Sequence, residues 1–172
     1  MGVVWGHRLA GKPEELAVMY SAGRDVRSIP MADEILIPYD IWNTEAHDIM
    51  LYKQGILSKD EIKIILSSLL QVRELYEKGE FKLDPKKEDV HINIESYITE
   101  HFDQEVGRKI HTGRSRNDQI VCDMRLFLRD KALEMIDSLI KLIEVILSIA
   151  EKHLETVMPG FTHYQHATIS TF

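Results

Sequence analysis

The feature that most constrains the fold is the segment from about Asp118 to Glu155, which contains neither glycine nor proline. Its first half sets an apolar stripe between charged residues at helical spacing. In its second half nearly every residue between a few polar positions is isoleucine, leucine, valine or alanine. A helix that is apolar around most of its girth has to be buried on most sides. The segment therefore predicts one long helix of a bundle that further sequence, other subunits or both complete.

Shorter helices are predicted before this segment. One covers residues of about 40–54 and ends at Gly55, a natural C-terminal cap. The next begins after Ser58, because Ser58 and Glu61 form a capping box. A third begins near residue 88 or 89 and has an apolar face at helical spacing.

Glycine and proline are frequent in residues 1–38, which predicts an irregular arm with at most short helices. No internal repeat or low-complexity segment is found, and no strand alternation persists. The predicted fold class is all-α. Residues 1–112 form an N-terminal helical domain that includes the arm, and residues 113–172 begin a central helical-bundle domain.

The overall charge and the cysteine usage exclude several classes of protein. A net charge of -7, from 21 basic and 28 acidic residues, argues against a nucleic-acid surface. Charges interrupt the longest apolar stretches, so no membrane span is expected. The N-terminus lacks the basic-then-apolar plan of a secretory signal. The one cysteine, Cys122, allows no intrachain disulfide, which suits a reducing compartment. The cytosol is therefore the expected location.

A first motif, H-T-G-R-S-R-N-D-Q, occupies His111–Gln119 at the start of the long helix. Backbone N–H groups at a helix start attract anions. Arg114 and Arg116 can each bind a carboxylate through two hydrogen bonds. No acidic residue occurs from Val106 to Asn117, although the protein as a whole is acidic. A small anionic ligand and a merely solvated basic turn with a helix cap both account for this pattern.

A second motif, P-G-F-T-H-Y-Q-H, occupies Pro159–His166 after the end of the same helix. His163 follows Thr162, a hydrogen-bond donor. Because histidine titrates near neutral pH, His163 is a candidate general acid or base. We expect the motif to lie in a loop.

Two pairs of possible metal ligands, one of two histidines and one of a histidine and a glutamate, raise the question of a metal site. His163 and His166 alone are weak evidence for one. His91 and Glu95, four residues apart on a predicted helix, have no third ligand nearby in the sequence. We interpret that pair as a hydrogen-bonded surface pair and expect no metal.

The separation of the two motifs predicts an oligomer. At 1.5 Å per residue, about 37 helical residues span about 55 Å. The loop of residues 156–163 can recover at most roughly 25–28 Å. The two motifs of one chain therefore cannot readily meet around one small ligand. Antiparallel packing of subunits would bring the first motif of one chain beside the second motif of another, which predicts a homo-oligomer with shared sites.

The motifs resemble those of a known family. Residues 111–119 resemble the H-T-G-R-S-R-N-D-Q segment of argininosuccinate lyases, and residues 159–165 resemble their P-G-[YF]-T-H-x-Q segment. Collinear with these, W-G-H-R at 5–8 is similar to W-G-G-R, E-D-V-H at 88–91 is similar to E-D-I-H, and Q-G-I-L at 54–57 also fits. The resemblance implies the aspartase/fumarase superfamily, whose members are tetramers built on a long central helix bundle. Their active sites are assembled from several subunits.

The resemblance also implies an activity. It is the cofactor-free cleavage of argininosuccinate into arginine and fumarate, in arginine biosynthesis or the urea cycle. Carried over residue by residue, Ser115, Arg116 and Asn117 would bind the substrate, at a carboxylate of its succinate half. Thr162 would bind the substrate too, and His163 would carry out acid–base work.

The chain also departs from the family pattern. His7 stands where the family has glycine, and His166 begins a segment unlike the usual R-A-Q-P. The N-terminal arm has no clear counterpart of the family's substrate-binding serine. Relatives continue well past Phe172 and carry a catalytic serine that nothing here matches, so the chain alone is expected to be catalytically incomplete. Alternatives are another superfamily lyase, such as adenylosuccinate lyase or fumarase, or a non-catalytic role of the crystallin type.

Overall fold

The computed structural model describes residues 14–21 and 30–171. The chain forms two compact units, Met1–Phe127 and Leu128–Phe172, and the division falls within the longest helix. The predicted boundary between residues 112 and 113 stays a prediction. Within the described ranges, no helix is both long and apolar enough to cross a bilayer.

Helices make up most of both units, which confirms the predicted all-α class. In chain order they are α1 (Glu15–Ser21), α2 (Ile37–Lys53), α3 (Lys59–Glu77), α4 (Val90–His101), α5 (Gln104–Gly107) and α6 (Arg116–Lys152). Two 3₁₀ turns, Ala32–Leu36 and Pro85–Lys87, precede α2 and α4.

The ends of the helices follow the predicted signals. Ser58 and Glu61 form the expected capping box at α3, in which the Ser58 hydroxyl accepts from the Glu61 amide at 3.2 Å and the Glu61 carboxylate accepts from the Ser58 amide at 2.7 Å. Asp89 caps α4. Gly55, just beyond α2, has a φ of 74°. Such a left-handed residue ends a helix most cheaply when it is glycine.

The first unit has a closed apolar core. The fully buried side chains on α2, α3 and α4 include Ile41, Ile65 and Ile98, each 0% exposed. Burying a side chain of this size stabilises the fold by about 1.5–3 kcal/mol. The first turns of α6 join the core, since Phe127 packs on it and meets the Tyr39 ring edge-on at a centroid distance of 5.9 Å. The start of α6 is therefore fixed to the first unit.

The second unit contains the rest of α6 and a β-hairpin. Helix α6 is unbroken over 37 residues, as predicted. Its apolar side chains in this unit are largely exposed in the single chain; Leu133, Leu142 and Leu147, for example, are 56%, 54% and 62% exposed. The predicted burial of this surface by other helices stays a prediction.

The hairpin corrects the expectation of a loop around the second motif. Strands β1 (Val157–Thr162) and β2 (Gln165–Thr171) pair antiparallel. They are rich in β-branched and aromatic residues, which favour strands. The register shifts around Gly160, where an added Cβ would come within 2.6 Å of the Thr168 carbonyl oxygen. Only glycine therefore fits there without movement of the backbone.

Candidate functional site

The residues Ser115, Arg116 and Asn117 lie together at the start of α6. The Ser115 hydroxyl accepts from the Asn117 amide at 3.2 Å, and the Ser115 carbonyl accepts from the Gln119 amide at 3.1 Å. Ser115 is thus the N-cap of α6. Its hydroxyl proton is not used by the cap and can be donated to a ligand. Ser115 and Asn117 are both exposed.

Arg116 lies between this helix start and α4. Its guanidinium contacts the Asp89 carboxylate at 3.4 Å, and its side chain is 40% exposed. Burial raises the pKa of the nearby Glu95, and the positive charge of Arg116 partly offsets that rise. Asp89 itself caps α4, so one carboxylate holds Arg116 and the start of α4 in a fixed relation.

The other basic residues of this segment have internal partners. Lys109 forms an ion pair with Glu61 on α3, and Arg108 contacts Glu105 at 3.6 Å. Arg114 is turned inward and donates to the Thr44 hydroxyl at 3.1 Å. Of the two arginines in the motif, Arg114 is therefore turned inward, whereas Arg116 is partly exposed beside the exposed Ser115 and Asn117 at the helix start.

Thr162 and His163 lie in the second unit, at the tip of the hairpin. Thr162 ends β1 and pairs with Gln165, so that His163 and Tyr164 form a two-residue turn. Their φ angles are 51° and 60°, in the left-handed region that side chains other than glycine rarely adopt. Both side chains are exposed. Backbone strain of this kind persists where surrounding structure supports it, often at functional sites.

A buried polar stripe on α2 was missed by the sequence reasoning. Asp40, Thr44 and Asp48 are spaced four residues apart and are 1%, 1% and 0% exposed. Buried polar side chains are costly unless they are paired. The Asp40 carboxylate accepts from the Gln119 amide group at 2.5 Å. The signal was present as three polar residues at i, i+4 and i+8, but a polar helix face usually predicts exposure to solvent.

His91 belongs to the same buried cluster, so its interpretation as a surface pair with Glu95 is wrong. His91 is 6% exposed and its Nδ1 donates to the Asp40 carboxylate at 2.6 Å. Burial alone would lower the pKa of His91, but the hydrogen bond and charge of Asp40, with the charges of Asp89 and Asp123, raise it. The sequence of α4 could not reveal this partner, because it comes from α2.

Acidic groups dominate the charge of this cluster. Burial raises the pKa of the Asp48 carboxyl to about 7, although the Arg114 guanidinium opposes the rise. Burial likewise raises the pKa of Asp123 to about 7, and the Asp40 carboxylate adds to that effect. Asn43 donates to Asp123 at 2.8 Å. The cluster is therefore a place where protons are held near neutral pH.

The same cluster has a donor set suited to a divalent cation. Asp40, His91 and Asp123 each offer one ligand atom, and these atoms lie within 4.8 Å of one another. Carboxylate and imidazole donors suit several transition metals. However, Asp40 already accepts hydrogen bonds from His91 and Gln119, and Arg114 adds positive charge nearby. The expected absence of a metal stays a prediction.

Two segments considered in the resemblance to argininosuccinate lyases lie wholly or mostly outside the described residues. The W-G-H-R segment at residues 5–8 and most of the arm around residues 20–23 lie there. The E-D-V-H segment at 88–91, by contrast, is fully described: it supplies the Asp89 cap and the buried His91.

Known proteins resemble this chain along nearly its whole length. An argininosuccinate lyase of Campylobacter jejuni is 40% identical over 169 residues, which cover 98% of this chain and 35% of that protein. One of Methanocaldococcus jannaschii is 44% identical over 142 residues, covering 81% of this chain and 29% of the relative. The chain thus spans about a third of the length of these relatives.

A solved structure agrees with this likeness. An EDDS lyase variant with bound fumarate matches with a TM-score of 0.67 and 32% identity, over 94% of this chain and 30% of that chain. The family model described as lyase matches residues 31–172. Because that match covers most of the chain, the protein belongs to this lyase family, within the fumarase/aspartase superfamily.

Proposed function

We propose that the chain is the N-terminal part of an argininosuccinate lyase, which splits argininosuccinate into arginine and fumarate in the cytosol. The observation that carries the proposal is the exposed helix start of α6. Ser115, Arg116 and Asn117 lie there side by side, within a nine-residue motif that resembles the family's own. The identity of 40% to a curated argininosuccinate lyase supports the choice of substrate.

The chemistry fits these residue types. A base removes a proton from the carbon next to a carboxylate of the succinate half, and that carboxylate gains negative charge in the transition state. Arg116 and the donors Asn117 and Thr162 stabilise the charge. The carbon–nitrogen bond then breaks, fumarate forms, and an acid protonates the leaving guanidinium nitrogen. His163 takes part in this acid–base work.

We further propose that the active form is a homo-oligomer, a tetramer in this superfamily, with sites shared between subunits. The largely exposed apolar surface of α6 in the second unit supports this, because a single chain rarely leaves so many large apolar side chains in water. The length of α6 supports it as well. Asn117 lies in its first turn, and His163 comes only after its end at Lys152.

A chimera tests the proposed activity. This chain replaces the matched region of the Campylobacter jejuni argininosuccinate lyase, and fumarate formation is followed by absorbance. Argininosuccinate, adenylosuccinate, malate and EDDS are supplied separately. We expect turnover of argininosuccinate. Replacing His163 by asparagine should lower the rate by about 10²–10⁴-fold, the usual contribution of a general acid or base.

A matched variant controls for general damage. His153 is another exposed histidine of the second unit, and His153→Asn should leave the rate unchanged. Turnover of adenylosuccinate or malate in place of argininosuccinate would refute the substrate. A folded chimera that turns over none of the four, or one that is indifferent to Asn117→Ala and His163→Asn, would favour the non-catalytic alternative.

A further inference from the structure

The two arginines of the first motif face opposite environments. Arg116 stays accessible beside Asp89, whereas Arg114 points into the first unit and donates to Thr44, which is 1% exposed. Within the described part of the chain, Nε and Nη1 of Arg114 are inaccessible to solvent and have no hydrogen-bond partner. A guanidinium in this position cannot reach a substrate without leaving its place.

The acidic groups around Arg114 stabilise its guanidinium in this buried position. The carboxyl groups of Asp40, Asp48 and Asp123 all favour its charged form, against the burial that lowers its pKa. Asp48 is completely buried, and neither of its carboxylate oxygens has a hydrogen-bond partner among residues 14–21 and 30–171. Arg114 thus supplies positive charge to an acidic interior, where an uncompensated carboxylate would be costly.

Helix α2 holds the turn at points on either side of Arg114. His47 contacts the Thr112 carbonyl oxygen at 2.9 Å, and Asn43 donates to the Gln119 carbonyl oxygen at 3.2 Å. Between them Gly113 has a φ of 69°, which lets the backbone turn. The next residue after Arg114 is Ser115, whose Cα is about 3.8 Å away along the chain. Fixing Arg114 therefore fixes the cap.

We propose that Arg114 is a positioning residue rather than a ligand of the substrate: held by its hydrogen bond to Thr44, it sets Ser115, Arg116 and Asn117 in the geometry that binds a carboxylate. The role in substrate binding rests on the proposed function. The anchoring itself rests on the contacts of the first unit alone.

A double-mutant cycle in the chimera tests this role. Arg114→Met should lower kcat by about a hundredfold, as expected when a binding group shifts by about 1 Å. Thr44→Val keeps the buried volume but removes the acceptor, and should lower kcat in the same direction by about tenfold. Because both act through one contact, the double variant should be no worse than Arg114→Met alone. Arg108→Met, an exposed arginine of the same segment, is the control and should change nothing.

The outcomes separate three roles. Normal kcat in folded Thr44→Val, with loss of substrate affinity only in Arg114→Met, would make Arg114 a direct ligand and overturn the proposal. Losses that disappear when the rate is expressed per folded molecule would overturn it too, since they would show a purely structural role.

A second measurement does not depend on activity. In ¹⁵N spectra of this chain, Thr44→Val should shift the Arg114 Nε–H resonance and the Ser115 and Asn117 amides, whereas added succinate should not shift Arg114 Nε–H. An Arg114 resonance that responds to succinate and ignores Thr44→Val would contradict the anchoring. If the chimera is inactive while the spectra behave as expected, the proposed function fails and the anchoring stands.

Discussion

The two units of the chain differ in how far their apolar and charged side chains are buried. In the first unit Ile65 is fully buried, and so are the acidic groups Asp40 and Asp48. Asp40 accepts a hydrogen bond from His91, and the positive charge of Arg114 favours the ionised form of Asp48. In the second unit, leucines such as Leu142 remain half exposed, and the ion pair of Asp137 with Lys141 lies on the surface. The first unit encloses an apolar core, whereas the second leaves the apolar side chains of α6 largely exposed in the single chain.

This difference suggests separate roles for the two units. The buried polar cluster of the first unit fixes the start of α6, where an anion would bind. The apolar stretch of α6 in the second unit is largely exposed in the single chain, as the proposed contact between subunits would require. A site shared between subunits would draw on both: geometry from the first unit and assembly from the second.

The largest expected difference in stability is between removing a buried acid and removing an exposed one. Asp40→Ala leaves His91 and Gln119 without their shared acceptor, and should lower the free energy of unfolding by about 3–5 kcal/mol. Asp137→Ala removes only a surface pair with Lys141 and should cost about 0–0.5 kcal/mol. Chemical unfolding followed by circular dichroism measures both. Similar costs would mean that the buried cluster is not a unit.

The apolar side chains allow a second comparison. Ile65→Ala should cost about 2–5 kcal/mol, because it leaves a cavity in the closed core. The loss should not depend on protein concentration. Leu142→Ala should instead weaken association, as measured by sedimentation. If Leu142→Ala left association unchanged, the exposed face of α6 would not be the subunit contact.

A smaller effect concerns pH. The native pKa of Asp48 is about 7, well above the value of about 4 in an unfolded chain. The native state therefore keeps a proton that the unfolded state has released, and this contribution to stability is lost as the pH rises from about 4 through about 7. Asp48→Asn should flatten that fall. His91, whose pKa is also raised, adds a loss of the same sign that remains in the variant.

The measurement is the free energy of unfolding at about pH 5 and about pH 8, either side of the titration. Asp60→Asn, an exposed acid of α3, is the matched control and should leave the pH dependence as it was. A pH dependence of stability that is the same in Asp48→Asn as in the wild type would contradict the buried, protonated state of Asp48.

Local signals in the sequence predicted much of the fold. The capping box of Ser58, the cap of α4 at Asp89 and the unbroken run of α6 all depend on neighbours within a few residues. The hairpin is not predicted, because the motif around His163 is dominated by functional residues and only its flanks carry the β-branched and aromatic residues that favour strands. Its two-residue turn also lacks the glycine that usually marks one.

The site could be predicted only in part, for a physical reason. Ser115 to Asn117 are contiguous, so their motif places them together. The partners of His91 and Arg114 come from α2, about fifty to seventy residues away in the chain. Three polar residues spaced along α2 resemble a solvated face until the helix that covers them is known.

Mixing two inactive variants of the chimera tests the shared site most directly. Asn117→Ala chains retain an intact hairpin, and His163→Ala chains retain an intact helix start. If each site takes these parts from different subunits, mixed oligomers should recover about a quarter of the wild-type activity, because that share of sites receives both intact parts. Recovery is the result predicted here. Mixed oligomers as inactive as the separate variants would contradict it, since the two motifs of one chain would then have to serve the same site.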